Sequence, residues 1–307
     1  MTLISVTVPA STANLGSGCD CFALALSLYL RVTVESRREE GVLWEIKGEG
    51  ASLLWQERER SLILGAFRRV GEQVKTVFTF SGLKITVDNQ IPLGAGLGSS
   101  GAAIVAGSLA ANLLTGSALT KEEVLNLAAD MEGHPDNVAA SLLGGAVAVA
   151  RTERGVVVSR VEVDPELRIV VALPHFPLPT AASRRLLPSH YRREEVLFNL
   201  ARAALLSSAF ACRRYELLRW AMEDRLYYPY REKLIPGAGK VIEAALAAGA
   251  WGAALSGAGP SLVALTPEAL ASEVGEAMRE AFARAGVEAR LLVLVPDNKG
   301  AKCEVAS

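Results

Sequence analysis

The sequence predicts an α+β fold in two domains. Three observations carry that reading. Short segments of alternating apolar and polar residues, the pattern of half-buried strands, cluster apart from helical segments and do not form a regular βαβ series. Half of the 307 residues are hydrophobic, enough to bury a large core or two. The pattern also shifts at the charged turn Arg151 to Gly155, ahead of a hairpin across residues 155 to 163. That places an N-terminal domain at 1–160 and a C-terminal one at 161–307.

Residues 3 to 8 alternate, are β-branched, and read as a strand ending at Pro9. Residues 22 to 35 begin apolar and then alternate through Tyr29, Arg31, Thr33 and Glu35, giving a second strand with 42 to 47 as its partner. Residues 60 to 75 read as a helix, with Leu62, Leu64 and Phe67 apolar and Arg68-Arg69 polar. Residues 83 to 88 form a half-buried strand. The run Asn89 to Gly101 then leads into Ala102 to Leu114, which is apolar on nearly all sides and therefore a buried helix. Thr120 and Glu123 form a capping box that opens a helix to about residue 130. The loop Glu132 to Asn137, a short helix and the strand 146 to 150 follow. Beyond the boundary come strand 168 to 173, a Pro-rich loop and helices at 192–210 and 212–222. The loop 227–239 leads to a helix at 240–248. A Gly-rich turn at 252–261 lies between two strands, before a helix at 268–285 and a last strand at 288–294.

Net charge is −1, so no global field draws the chain to nucleic acid or an anionic membrane. The short arginine runs, Arg68-Arg69, Arg184-Arg185 and Arg213-Arg214, read as solvated helix faces. Cys19 and Cys21 are too close for an easy bridge, and no C-x-x-C pair exists among the four cysteines. A reducing cytoplasm fits. No basic region precedes an apolar stretch at the N-terminus, and the long apolar runs are broken by charge, so neither a signal peptide nor a membrane span is expected.

Four segments carry chemistry. Gly94 to Gly101 holds four glycines and two serines between a strand and a buried helix. Glycine allows positive φ and close approach to backbone N–H groups. The helix start adds unpaired N–H groups and the positive dipole end. Together they form a phosphate cradle. It is not a Walker A loop, since no Lys lies between Lys84 and Lys121. Gly96-x-Gly98-x-x-Gly101 also fits a dinucleotide fingerprint, but Glu122 and Glu123 fall at a helix start, where the fingerprint needs a strand end. Glu132-Gly133-His134-Pro135-Asp136-Asn137 offers oxygen ligands that suit Mg²⁺, or else a helix-capping loop with Asp136 or Asn137 at the N-cap. Ser11 to Asp20 is a small, polar, Gly-flanked loop in which Asp20 could pair with an ammonium group; an Asx/Ser turn is the alternative. Gly252 to Ser261 is a Gly-rich turn between strands. Cys19 and Cys21 read as packing residues, and His175 and His190 as structural or exposed.

Taken in order, Pro9 to Gly16, Pro92 to Ala102 and Leu255 to Ser261 resemble the three signatures of the GHMP kinases, a superfamily of small-molecule kinases. Within it the sequence is most similar to the homoserine kinases. The likeness rests on Asn14 to Asp20, on Glu132 to Ala139, on Thr180 to Pro188 with Arg184, and on Tyr230-Arg231 with Leu234 to Gly237. The resemblance implies an N-terminal domain with a left-handed βαβ unit, an exception to the usual crossover, and a ferredoxin-like C-terminal domain. It implies ATP and Mg²⁺ as cofactors and L-homoserine as substrate, in a step of threonine biosynthesis. Pro92, Leu93, Gly94, Ala95, Gly96, Leu97, Gly98, Ser99 and Ser100 would wrap the phosphates, with Ser61 and Gly257 also at the nucleotide. Relatives usually carry Asn at the Ser61 position. Ser100 and Glu132 would hold the metal. Asn14, Asp20, His134, Arg184 and Arg231 would contact homoserine. Asn137, with neighbouring Asp136, takes the place of the Asp base of some relatives. A homodimer is left open. The competing readings are another GHMP kinase such as a mevalonate kinase, a dinucleotide-binding oxidoreductase and a non-catalytic ligand sensor.

Overall fold

The structure is a computed structural model that describes residues 2–37, 39–76, 82–176, 178 and 183–306. The expected start of the Thr180 to Pro188 segment therefore lies outside the described residues, while Arg184 is within them.

Two sheets organise the chain. The first contains β1 (Leu3–Asn14), β2 (Gly18–Ser36), β3 (Val42–Gly48), β4 (Leu83–Asn89), β5 (Ala146–Thr152), β6 (Gly155–Val161) and β11 (Lys302–Ala306). Its order is β11-β1-β2-β4-β3, with β5 leaving β2 to form a hairpin with β6. All of its pairs are antiparallel except β3 with β4. That parallel pair needs a crossover, supplied by α1 (Ala51–Gln56) and α2 (Leu62–Gln73). The helices α3 (Ser99–Leu114), α4 (Lys121–Glu132) and α5 (Asp136–Leu143) pack with this sheet. The second sheet holds β7 (Leu167–Pro174), β8 (Gly252–Leu255), β9 (Leu262–Pro267) and β10 (Ala289–Leu294) in the order β10-β7-β9-β8, antiparallel throughout. That is the ferredoxin-like order. Between β7 and β8 run α6 (Arg193–Ala211), α7 (Leu218–Ala221), α8 (Tyr228–Arg231) and α9 (Ala238–Ala247); α10 (Ala271–Arg284) joins β9 to β10.

The period of two is visible in β7. Ile169, Val171 and Leu173 join the main core, while Val170 and Ala172 face a second cluster with Val241, Met278 and Phe282. Among the described residues no helix is long and apolar enough to cross a membrane.

Several expectations change. The first strand does not end at Pro9. It continues to Asn14, because the register shifts between Pro9 and Ala10 and the missing N–H falls at that irregularity. Residues 42 to 47 pair with β4, not with β2, whose free side is already taken by β4. The segment 212–222 is not one helix. Arg213 sits at φ 54°, and only a short turn at Tyr215–Leu217 and α7 follow. The helix α1 and the strand β11 were not expected. The latter brings residues 302–306 back to the first sheet, against β1.

Candidate active site

The three glycine-bearing signatures meet through hydrogen bonds to backbone groups. Ser11 N–H donates to the Leu97 carbonyl at 3.2 Å, and Gly257 N–H to the Ala13 carbonyl at 3.0 Å. Ser256 Oγ donates to the Gly96 carbonyl at 2.6 Å. Gly96 and Gly98 are at φ 76° and 70°. A Cβ on Gly96 would lie 2.1 Å from the Ser256 carbonyl oxygen, and one on Gly98 2.2 Å from Ser11 Oγ. Only glycine meets both demands, the left-handed backbone and the close approach. Gly98 caps α3 with no side-chain bond to the first turn. The opening N–H groups of this buried helix are thus left for an anion.

Next to that helix start, Ser100 Oγ donates to Glu132 Oε1. Glu132 ends α4, whose capping box is present as expected. Burial pushes the Glu132 carboxyl above its ordinary range; the Ser100 bond and nearby His134 oppose the shift. His134 Nδ1 lies 2.7 Å from Asp136 Oδ1. Burial disfavours the imidazolium, but the Asp136 bond and the charges of Asp136 and Glu132 outweigh it, so its pKa is raised. Asp136 is buried and also accepts from the Asn137 N–H at 2.8 Å. It stands at the first turn of α5; the N-cap is Pro135, not Asp136 or Asn137. Asn137 Oδ1 accepts from Ser11 Oγ at 2.9 Å, which fixes the amide.

At the other end, Arg184 grips both oxygens of Asp20, at 2.6 and 3.2 Å. Arg184 is therefore not a solvated helix-face residue. Tyr227 O–H donates to Asp20 Oδ2 at 2.9 Å, and Asp20 N–H donates to Asn14 Oδ1 at 2.9 Å. Both Asn14 and Asp20 hold positive φ, an uncommon cost for non-glycine residues that clusters at functional sites. Arg231 is 2% exposed. Its Nη1 donates to the Gly257 carbonyl at 3.0 Å, but its Nε has no partner. Its guanidinium lies 4.5 Å from the centre of the Tyr227 ring. Burial lowers its pKa, with Tyr227 opposing.

Every expected site residue lines one cavity of about 490 Å³: Asn14, Asp20, Ser61, the run Pro92 to Ser100, Glu132, His134, Asp136, Asn137, Arg184, Arg231 and Gly257. Family models match GHMP kinases N terminal domain over residues 61–145 and GHMP kinases C terminal over residues 201–284. A homoserine kinase from Carboxydothermus hydrogenoformans is 42% identical over 97% of this chain and 96% of that protein. The chain belongs to the homoserine kinases. A second such relative, from Desulfitobacterium hafniense, is 37% identical over 97% and 99% of the two chains. The crystal structure of homoserine kinase from Cytophaga hutchinsonii matches with a TM-score of 0.86 at 29% identity, covering 98% of this chain and 97% of that one. A Lactococcus lactis galactokinase, at 14% identity and a TM-score of 0.73 over 98% and 95% of the chains, shares the fold.

Homoserine-kinase resemblance did not single out Tyr227, nor Asp224. The Asp224 carboxylate accepts from the backbone N–H groups of Leu226, Tyr227 and Tyr228 and from Asn199 Nδ2. It thereby builds the turn that carries Tyr227 and Arg231. An Asp ahead of a Tyr-Pro helix start is an Asx signal that the sequence does contain. The short helix α1, also unexpected, adds Leu53 and Leu54 to the cavity wall, and its C-cap Glu57 joins them. Ser61 borders the cavity while its Oγ accepts from Leu64 N–H at 3.3 Å as the N-cap of α2. Burial raises the Cys19 and Cys21 pKa values and suppresses their thiolates, in line with packing roles. His175 and His190 lie outside this cavity.

Proposed function

We propose that this chain transfers the γ-phosphoryl group of ATP to the side-chain hydroxyl of L-homoserine, giving O-phospho-L-homoserine and ADP, a step of threonine biosynthesis in the cytoplasm. The observation that carries the reading is Arg231: a buried guanidinium without a carboxylate partner among the described residues, in the same cavity as the open N-terminus of α3. A buried cation without its counter-charge is costly, and a substrate α-carboxylate supplies that charge bidentately. Asp20 would take the α-ammonium, exchanging part of its grip on Arg184. The backbone of Gly94 to Ser100 would hold the phosphates.

The donor set at the helix start fits Mg²⁺. Ser100 and Glu132 present hard oxygens side by side, with His134 Nε2 3.8 Å from the same carboxylate. Among the described residues no group of three or more His, Cys, Asp or Glu is placed to hold a metal ion. Bound there, Mg²⁺ would neutralise phosphate charge. Asp136 spends Oδ1 on His134 and on its own helix, so it orients His134, and Asn137 is held by Ser11 to face the acceptor hydroxyl. With no strong side-chain base, the rate rests on positioning and charge neutralisation.

A coupled ADP-release assay across homoserine, mevalonate and galactose tests this. Turnover with homoserine well above the other two is expected. Preference for mevalonate, which has a carboxylate but no ammonium group, would reject the role of Asp20. ATP binding without ADP release would leave a ligand sensor, and NAD(P)H binding in its place an oxidoreductase.

A further inference from the structure

A second cavity, of about 440 Å³, lies behind the amino-acid end of the first. The two share Asn14, Arg231 and Gly257. Asn14 Nδ2 and Arg231 Nη1 both donate to the Gly257 carbonyl at 3.0 Å, and these bonds form part of the partition. The second cavity's wall is otherwise largely apolar and aromatic, with Trp220, Tyr228, Ile242 and Leu246. Such a volume, with an apolar lining and a few polar groups, is that of a small-molecule site.

Charge selects the ligand. The acids on this wall are already committed. Glu223 pairs with Arg202 at 2.6 Å, and Asp224 is bound to backbone N–H groups and Asn199. The cations are not. Arg219 has no ion pair among the described residues, and Arg231 keeps an unpartnered Nε.

We propose that this cavity binds a small carboxylate with an apolar body, seated on Arg231, and that its occupancy excludes the substrate's carboxylate. With Nη1 committed to Gly257, Arg231 has one fork left, Nε with Nη2, and a planar fork serves one carboxylate at a time. Binding on one side of the partition therefore opposes binding on the other, and by linkage the effect is mutual. The exclusion rests on the proposed role of Arg231 in homoserine binding; the binding itself does not.

The test uses 3-phenylpropionate as probe, with 3-phenylpropanamide as its uncharged control. Isothermal titration should show one site for the acid, with the amide weaker by about tenfold or more. In the kinase assay the acid should raise the apparent KM for homoserine and leave kcat unchanged. Ile242→Trp fills this cavity from α9, at a position that does not line the substrate cavity. It should weaken the acid about tenfold or more while keeping wild-type turnover. Leu246→Trp serves if that variant melts early. No heat at millimolar acid overturns the proposal, as does undiminished binding in a folded wall variant, which would put the acid in the substrate cavity. Wall-sensitive binding that homoserine does not displace also overturns the exclusion. Failure of homoserine turnover instead removes only the proposed function, and the titration still decides whether the cavity binds the acid.

Discussion

The two ends of the cavity are built on opposite plans. At the end proposed to hold phosphate, the groups that would face a ligand are backbone amides, shaped by nine consecutive residues, Pro92 to Ser100, and by helix α3 behind them. At the amino-acid end they are charged side chains brought together across the chain: Asp20 meets Arg184 across 164 residues and Tyr227 across 207. A backbone site is lost when a glycine gains a side chain. A side-chain site is lost when one charge goes. The first depends on local geometry, the second on the tertiary fold holding separate elements in register. Substitutions at the two ends should therefore fail in different ways.

The largest effect is expected at Arg231. In Arg231→Met, kcat/KM for homoserine should fall by about 10³, as for truncating one partner of a buried charge pair, with the KM for ATP nearly unchanged. Stability should hold or rise, because an uncompensated buried cation is removed. Steady-state kinetics with each substrate varied, plus a melt, would check both. An equal loss in ATP binding would erase the division of labour. The counterpart at the phosphate end is Gly96→Ala. Its Cβ falls 2.1 Å from a backbone oxygen, at φ 76°. Strain and overpacking together should cost about 3 kcal/mol of stability, read by denaturant unfolding, and both substrates should weaken because the three signatures are bonded to one another here.

Glu132→Gln sits between the two plans, a side chain serving the phosphate end. Its turnover should drop about 10²-fold at saturating substrates. The wild-type pH profile gives a second readout. Burial raises the Glu132 pKa above the usual 4.5, and the ionised form is the one that would hold a metal. At limiting Mg²⁺, where protons compete with the metal, activity should therefore fall as pH drops through that raised value. For stability the sign is reversed: a raised folded pKa contributes stability below the unfolded value, and this is lost as pH rises through the folded one. Rate measurements over an acid pH series should show the acid limb in the wild type and not in Glu132→Gln.

This contrast also explains what the sequence made readable. The phosphate loop, the α4 capping box and the alternation of β4 are local, so residue type and spacing reveal them. Asp20, Arg184 and Arg231 were found through likeness to a family, because nothing in their own neighbourhoods says that they converge. The strand β11 escaped because all five of its residues are exposed and it joins β1 through backbone bonds, leaving no hydrophobic pattern. The helix α1 buries no residue fully and is silent for the same reason. The register of β1 across Pro9 was misjudged because a proline's missing donor is harmless at an irregularity, which sequence does not announce.

The smallest expected effect tests whether the amino-acid end is one unit or several separate contacts. Tyr227 touches both of its charges: the hydroxyl bonds to Asp20, and the ring lies against Arg231. Burial, followed by the charge of Asp20, raises the phenol pKa, so the group remains a donor throughout the working range. Tyr227→Phe removes the hydroxyl and keeps the ring. If the hydroxyl only fills space, kinetics should not move. If it orients Asp20 for the ammonium, the KM for homoserine should rise about fivefold to tenfold, the worth of one charge-assisted hydrogen bond, while kcat and the KM for ATP stay near wild type. Tyr227→Leu should do more, because the face under Arg231 is lost as well. A double variant with Asp20→Asn then decides the matter: a hydroxyl that acts through Asp20 has nothing left to orient, so the two losses should not add.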